Sequence, residues 1–304
     1  MPELHRMHGR RRGSGRVFAV FRSIAAQEAG QHRFAMAKMR VGLVGCGNIG
    51  ADICIALQKG TIPAVVAALT DVDAVRAERL RRTFQLDACV GALDEAAATV
   101  DFLAECADPS AVEGVVSAAI ARRIDCLIMS VGGLMAQPTL LEMARESRIQ
   151  IRVPSGALCG LDGIRAAMEG GVHSVTLTTR KPPKGLAGAP YLAEQGVDVM
   201  ALTKPTVVFE GTAAEAVRAF PKNVNVAAAL SLAGLGPHET RVRVIADPTA
   251  SVNSHEIVAE GAFGRLQTLT ENLPSPRNPK SSYLASLSAV SELRAAAEAF
   301  AAQK

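Results

Sequence analysis

The sequence predicts an α/β protein with an N-terminal doubly wound parallel sheet and a smaller α+β domain that has a mainly antiparallel, open sheet. Between residues 39 and 155, short strands that are apolar throughout alternate with helical stretches, as in parallel sheets covered on both faces. From about residue 156, apolar and polar residues alternate within the strands, which is typical of half-exposed antiparallel strands. A three-glycine fingerprint directly follows the first strand.

In the first half of the chain, predicted strands and helices alternate. Its strands are short runs rich in Val, Ile, Leu and Ala: "MRVGLVG", "AVVAALT", "VDFLAECA", "DCLIMSVG" and "IQIRVP". The intervening stretches are helical: "IGADICIALQKG", which ends at Gly60, then "AVRAERLRRTF", "SAVEGVVSAAIARR" and "PTLLEMARES". Residues 39–155 are therefore predicted to form a dinucleotide-binding domain of the doubly wound kind.

The second half, residues 156–280, is predicted to be an open sheet with helices on one face. Its strands are "SVTLTTRK", "TVVFEG", "TRVRVIA", "HEIVAEGA" and "RLQTLTE". Two helices interrupt them. "TAAEAVRAF" opens with Thr212 and Glu215 at the spacing of a capping box, and "NVNVAAALSLAG" ends at Gly234.

The C-terminal segment, residues 281–304, is predicted to be a helix that packs back on the first domain. One apolar stripe runs along it, formed by Leu284, Leu287, Val290, Leu293, Ala297 and Phe300.

Composition limits the classes of function. The 304 residues are 49% hydrophobic, which suffices for one large or two medium domains, and no apolar run is long enough to span a membrane. Residues 1–40 have a surplus of seven positive charges, whereas the remainder has three more acidic than basic residues. The chain after residue 40 is thus mildly acidic, which argues against a nucleic-acid-binding surface. The basic residues 1–38 suggest a disordered or non-native extension, and a targeting segment would look similar.

The six cysteines are scattered along the chain without a C-x-x-C pair. This pattern favours a reducing compartment and a cytoplasmic protein, and it predicts no structural zinc and no metal site.

The stretch "VGLVGCGNIG" is the strongest local motif. Gly45, Gly47 and Gly50 form G-x-G-x-x-G between a strand and a helix, where they permit a tight turn, close approach of a pyrophosphate and close helix packing. Asn48 and Ile49 lie within the same turn and are predicted to contact the cofactor. Asp71 follows Gly50 by 21 residues and can bind the ribose hydroxyls of NAD. This favours NAD, although Arg76 and Arg79, which follow closely, leave NADP open.

Two further loops follow the carboxyl ends of predicted parallel strands, where such sheets bind ligands. "ECADPSAV" contains Cys106 and Ala107, and "MSVGGL" contains Gly132, whose backbone could approach a nicotinamide ribose. Plain strand-to-helix turns would look the same. The small residues of "VPSGALCGLDG" fit either a nicotinamide ring or a hinge between the domains.

The polar clusters of the second half are ambiguous one by one. "RKPPK" could be a solvated loop, Asn225 could cap a helix, and a lone histidine such as His255 is more often exposed than catalytic.

Taken together, the motifs resemble the L-aspartate dehydrogenase family. The carrying pieces run in order from about residue 39 to 290: "GCGNIG", "ECA", "SVGGL", "PSGALCGLDG", "RKPP", "VVFEGTAAEAVRAFPKNVNVAAALSLAG", "VIADPTASVNSHEIVAEGAFG" and "NLPSPRNPKSS".

This resemblance implies NAD(P)-dependent oxidation of L-aspartate to iminoaspartate, which can hydrolyse to oxaloacetate and ammonia or feed NAD synthesis. It implies that Ala157 and Asn225 contact the cofactor and that His255 is the active-site residue. A histidine could take the ammonium proton, activate water or hold a carboxylate. The carboxylates of the substrate need cationic or N–H partners, and the candidates are Lys280 first, then Ser281 and Lys184.

Two rival hypotheses remain at this point. One is another two-domain dehydrogenase or reductase that acts on a small amino acid. The other is a non-catalytic, NAD-binding sensor with the same fold. The retained His255, Asn225 and Lys280 favour an enzyme. An open sheet in the second domain would leave a face to cover, so we expect a homodimer.

Overall fold

The first half of the described chain forms a six-stranded parallel sheet. The computed structural model describes residues 38–221 and 225–304, apart from the side chains of residues 278–280. The predicted N-terminal extension therefore falls almost entirely outside the described residues. The strands are β1 (Met39–Val44), β2 (Ala64–Thr70), β3 (Cys89–Val90), β4 (Phe102–Glu105), β5 (Asp125–Ile128) and β6 (Ile151–Arg152).

The order of these strands in the sheet is β3-β2-β1-β4-β5-β6, and every neighbouring pair is parallel. This is the order of the doubly wound dinucleotide-binding fold, whose ligand crevice lies where the strand order reverses, next to β1. The predicted fold class is confirmed. The two-residue strand β3 was not predicted from the sequence.

Helices cover both faces of this sheet: α1 (Asn48–Gln58), α2 (Ala74–Thr83), α3 (Leu93–Ala97), α4 (Val112–Arg122), α5 (Val131–Ala136) and α6 (Thr139–Glu146). Asp73 caps α2 by accepting hydrogen bonds from the amides of Val75 and Arg76. Two separate apolar cores result, one on each face of the sheet.

The second half forms a five-stranded, mostly antiparallel sheet in the order β11-β10-β7-β9-β8. Among the described strand pairs of this sheet, β7–β9 is parallel and the other three are antiparallel. The strands are β7 (Val172–Lys181), β8 (Thr206–Thr212), β9 (Thr240–Ala246), β10 (Asn253–Gly261) and β11 (Gly264–Asn272). A short ladder of β12 (Pro274–Ser275) and β13 (Asn278–Ser282) follows.

The helices of the second half are α7 (Leu161–Glu169), α8 (Pro190–Glu194), α9 (Ala213–Ala219) and α10 (Asn225–Ala233). They share one apolar core with the inward face of the second sheet. The capping box is present: the Thr212 hydroxyl accepts from the Glu215 amide at 3.2 Å, and the Glu215 carboxylate accepts from the Thr212 amide at 2.7 Å. Helix α7 was not predicted, because its sequence begins inside the glycine-rich crossover, directly after Gly160 (φ 81°).

The chain ends in α11 (Tyr283–Ala302), which packs on α1 and the parallel sheet through Ala289, Leu293, Ala296 and Ala297. Residues 38–303 belong to one compact unit, so the domain boundary near residue 155 stays a prediction. Within the described part of the chain, no helix combines the length and the apolar character needed to cross a membrane.

Candidate active site

A cleft of about 210 Å³ lies between the carboxyl ends of the parallel strands and the second sheet. The first half of the chain contributes Ile49, Cys106 and Ala107, and the second half contributes Ala157, Asn225, His255 and Ser281. Seven of the sequence-predicted site residues therefore line one cleft. Four residues that were not predicted from the sequence line it as well: Lys181, Ser130, Asn253 and Ser282.

The glycine turn between β1 and α1 has the geometry that a pyrophosphate requires. Gly45 has a φ of 97°, and a Cβ there would lie 2.6 Å from the Ala107 nitrogen. A Cβ on Gly50 would lie 2.7 Å from the Gly45 oxygen. A Cβ on Gly47, in contrast, would meet no atom of the described residues within 4 Å. The outer two glycines are thus needed for packing, whereas Gly47 leaves open space at the start of α1, where backbone N–H groups favour anions.

Asp71 directly follows β2 and fixes this turn. Its carboxylate accepts from the Cys46 amide at 2.8 Å and from the Asp73 amide at 2.9 Å, and it lies 3.5 Å from the Arg76 guanidinium. Arg76 and Arg79 line a neighbouring depression together with Gly47 and Asn48. An acidic residue therefore follows β2, as expected for NAD, and the Arg76 guanidinium contacts it.

Glu105 is a buried carboxylate that ties two loops of the site together. It accepts hydrogen bonds from the Ala107 amide (2.8 Å), the Met129 amide (3.0 Å), the Ser130 amide (2.8 Å) and the Ser130 hydroxyl (2.8 Å). Burial raises the pKa of Glu105, and the four hydrogen bonds oppose that shift. The residue thus joins the ends of β4 and β5 behind the wall of the cleft.

We expect Glu105→Gln to destabilise the protein by about 2–3 kcal/mol, a fall of roughly 5 °C in Tm. The side chain keeps its size, but an NH2 group now faces N–H and O–H donors, which leaves polar hydrogens buried without an acceptor. Differential scanning calorimetry measures the change, with the exposed Glu142→Gln as the matched control. An unchanged Tm in Glu105→Gln would contradict this account of the two loops.

His255 is buried on β10, opposite Thr179 of β7 in the antiparallel register. Its Nδ1 atom and the Thr179 hydroxyl are 2.9 Å apart, which fixes the ring. Burial, and then the positive charge of Lys181, lower the pKa of His255 to about 3, so the imidazole is neutral at physiological pH. A hydroxyl can donate or accept, so Thr179 can support either neutral tautomer.

Lys181 is the last residue of β7 and is buried, although it carries an amine. Burial lowers its pKa to about 8. A signal for it existed in the sequence, because Val175, Leu177, Thr179 and Lys181 alternate along one strand and therefore share one face. The lysine predicted from the sequence was Lys184, which is exposed and is not among the described residues that line the cleft.

The crossover loop is anchored by β11. The carbonyl of Ala157 accepts from the Thr270 hydroxyl at 2.9 Å and from the side-chain Nδ2 of Asn272 at 3.1 Å. These two side chains were not predicted, since nothing in a polar strand marks which residues reach a distant loop. They fix the position of Ala157 in the same cleft as His255.

Asn225 begins α10 and joins the two halves of the cleft. Its side-chain oxygen accepts from the Gly132 amide at 3.2 Å. Gly132 itself is buried and is not among the described residues that line the cleft. It contacts Asn225, which does line it. The side chain of Lys280, the first-ranked carboxylate partner, lies outside the described residues, and its neighbour Ser281 lines the cleft.

Two family models match the chain, one in each half. The model of the homoserine dehydrogenase NAD-binding domain matches residues 45–154, and that of the aspartate dehydrogenase C-terminal domain matches residues 162–296. The first match supports NAD as the cofactor.

Individual proteins match over nearly their whole length. L-aspartate dehydrogenase of Methanosarcina mazei is 48% identical over 84% of this chain and 96% of its own. That of Bradyrhizobium diazoefficiens is 40% identical over 86% and 92%. The crystal structure of aspartate dehydrogenase from Thermotoga maritima is 25% identical, with a TM-score of 0.65 over 85% of this chain and 96% of that one. On this sequence identity and this fold, the chain belongs to the L-aspartate dehydrogenase family.

Proposed function

We propose that the cleft binds L-aspartate beside a nicotinamide ring and that the protein oxidises L-aspartate to iminoaspartate with NAD. The observation that carries this proposal is the meeting, in one cleft, of the loops that follow β1 and β4 with a buried histidine and a buried lysine of the second sheet. An enzyme that removes hydrogen from an amino acid needs a dinucleotide turn on one wall and basic groups on the other.

The chain fits a nicotinamide dinucleotide. The open space at Gly47 and the start of α1 would hold the pyrophosphate, and Asp71 would bind the adenosine ribose. Ala157 and Asn225 would contact the nicotinamide end, near Cys106 and Ala107. When bound, NAD accepts a hydride, that is, a hydrogen with its electron pair. Because the Asp71 carboxylate repels a 2′-phosphate, we expect NAD to be preferred over NADP.

His255 would prepare the amino group. L-aspartate arrives as an ammonium ion, which has no lone pair, so Cα cannot lose its hydrogen in this form. The neutral imidazole of His255 accepts one ammonium proton and becomes charged. The nitrogen lone pair then forms the C=N bond as the Cα–H bond breaks. The two carboxylates of the substrate offset the burial that otherwise disfavours charged His255.

The product is an imine, which either hydrolyses to oxaloacetate and ammonia or is consumed by a condensing reaction. We place the protein in the second route, as a supplier of iminoaspartate for NAD synthesis in the cytoplasm. We also propose a homodimer, since the outer face of the second sheet includes half-buried and exposed side chains such as Val258 and Leu269.

The function is tested by following NADH absorbance with L-aspartate, with D-aspartate, L-asparagine and L-alanine as matched substrates. We expect NADH to form with L-aspartate and to be consumed with oxaloacetate plus ammonia. NADH binding without turnover in either direction would refute the enzyme and favour a sensor.

A further inference from the structure

The wall of the cleft formed by the second sheet contains a lysine that neither the family resemblance nor the sequence motifs assign. Lys181 has only 7% of its surface exposed, yet it lines the cleft. Its neighbour on the same face of β7, Thr179, binds His255. Placing an amine in such a position is costly, since burial disfavours its charge. A buried lysine beside a reactive histidine therefore calls for a functional explanation.

The charge of the cleft points to the ligand. The described residues that line it include two basic side chains, Lys181 and His255, and no Asp or Glu. Glu105 lies behind the wall, where its oxygens are engaged by four donors. The hydroxyls of Ser281 and Ser282 add groups that can donate hydrogen bonds. A cleft of this composition suits an anion with several acceptor oxygens.

We propose that the Lys181 ammonium binds a carboxylate of the dicarboxylic substrate and thereby determines the preference for L-aspartate over monocarboxylic amino acids. This inference rests on the proposed function. It assigns a different role to each basic residue: Lys181 binds a carboxylate, and His255, which is neutral before the substrate binds, accepts a proton from the ammonium group.

The groups around Lys181 predict a simple pH dependence. In the ligand-free protein, His255 of β10 is neutral because burial and the charge of Lys181 lower its pKa to about 3. Asp247, after β9, stays ionised because hydrogen bonds from Thr249 and Arg180 lower its pKa. Cys106, from the loop after β4, stays a thiol because burial raises its pKa. Lys181, with a pKa of about 8, is then the group that titrates above neutral pH.

The test uses succinate, which has both carboxylates and no amino group, and the enzyme–NADH complex. We measure the Kd of succinate from NADH fluorescence for the wild type, Lys181→Met and Lys181→Arg. We expect the methionine variant to lose affinity by about 10- to 100-fold and the arginine variant to retain most of it. A buried thioether costs less than a buried amine, so the methionine variant should fold; Tm and the Kd of NADH verify this.

Control variants test whether a different lysine, rather than Lys181, binds the carboxylate. The exposed Lys204→Met should bind succinate like the wild type. Loss of affinity in Lys184→Met instead would assign the carboxylate to Lys184 and overturn the proposal. Unchanged succinate affinity in Lys181→Met would overturn it too, even where the wild type oxidises L-aspartate. A wild type that binds succinate through Lys181 but oxidises no amino acid would refute the proposed function alone.

The pH profile adds a readout that a purely structural role would not change. Above about pH 6.5 both carboxyl groups of succinate are ionised, so only the protein titrates. Above about pH 8, the Lys181 pKa, wild-type affinity should fall about tenfold per pH unit. The profile of Lys181→Arg should stay flat, because arginine keeps its charge. A wild-type profile that is flat to pH 10 would contradict the assignment.

Discussion

His255→Ala is expected to lower kcat/KM for L-aspartate by about 100- to 10,000-fold, because it removes the imidazole that we propose accepts the ammonium proton. The affinity for NADH should stay within about twofold, since we propose that the glycine turn and Asp71 bind the other end of the cofactor. Steady-state kinetics measure the first quantity and fluorescence titration the second.

The exposed His173 of β7 provides the matched control, and His173→Ala should retain full activity. Thr179→Val should lie between the two, because it removes the partner of Nδ1 at 2.9 Å and leaves the imidazole in place. Full activity in His255→Ala would remove His255 from the chemistry and leave the dehydrogenase assignment intact.

Gly47→Ala should abolish most NADH binding, by about 100-fold or more, without lowering Tm. A methyl group there contacts no described residue, so the folded protein tolerates it, but it occupies the space next to the start of α1 where the pyrophosphate would lie. Isothermal titration with NADH and calorimetry of the apoprotein measure the two quantities separately.

Gly45→Ala, in contrast, should lower the stability of the folded protein. Its positive φ and a contact of 2.6 Å with the Ala107 nitrogen predict a loss of roughly 2–5 kcal/mol in the free energy of unfolding. Gly114→Ala, on the exposed side of α4, is the control. It should change neither the affinity for NADH nor the free energy of unfolding appreciably. Tight NADH binding by Gly47→Ala would show that the cofactor does not approach this turn.

Much of the architecture could be predicted because its signals are local. Each strand of the parallel sheet is an apolar run of its own, and the glycine fingerprint requires a strand before it and a helix after it. The strands of the second sheet were predicted equally well from their alternation. Their order, which places β7 next to β9 in parallel, depends on pairings between distant segments that no local pattern reveals.

Site residues that lie in recognisable motifs could be predicted from the sequence. Those whose role depends on being buried could not. His255, Asn225 and Ala157 came from motifs of the family. Glu105 was passed over within "ECA", because a carboxylate with four backbone and hydroxyl donors cannot be distinguished from an exposed one in a sequence. Lys181 was missed although it alternates with Val175, Leu177 and Thr179 along one face of β7. Solvated lysines are common, and its burial depends on β7 ending inside the cleft.

The position of β7 in the second sheet bears on how the protein meets its substrate. β7 is the third of five strands and pairs with β10, so Thr179, Lys181 and His255 all project from hydrogen-bonded interior strands rather than from loops. Interior strands open rarely, and their amides should be among the slowest in the molecule to exchange with deuterium. The polar groups are thus preorganised before any ligand arrives, and little ordering entropy remains to be lost when the substrate binds.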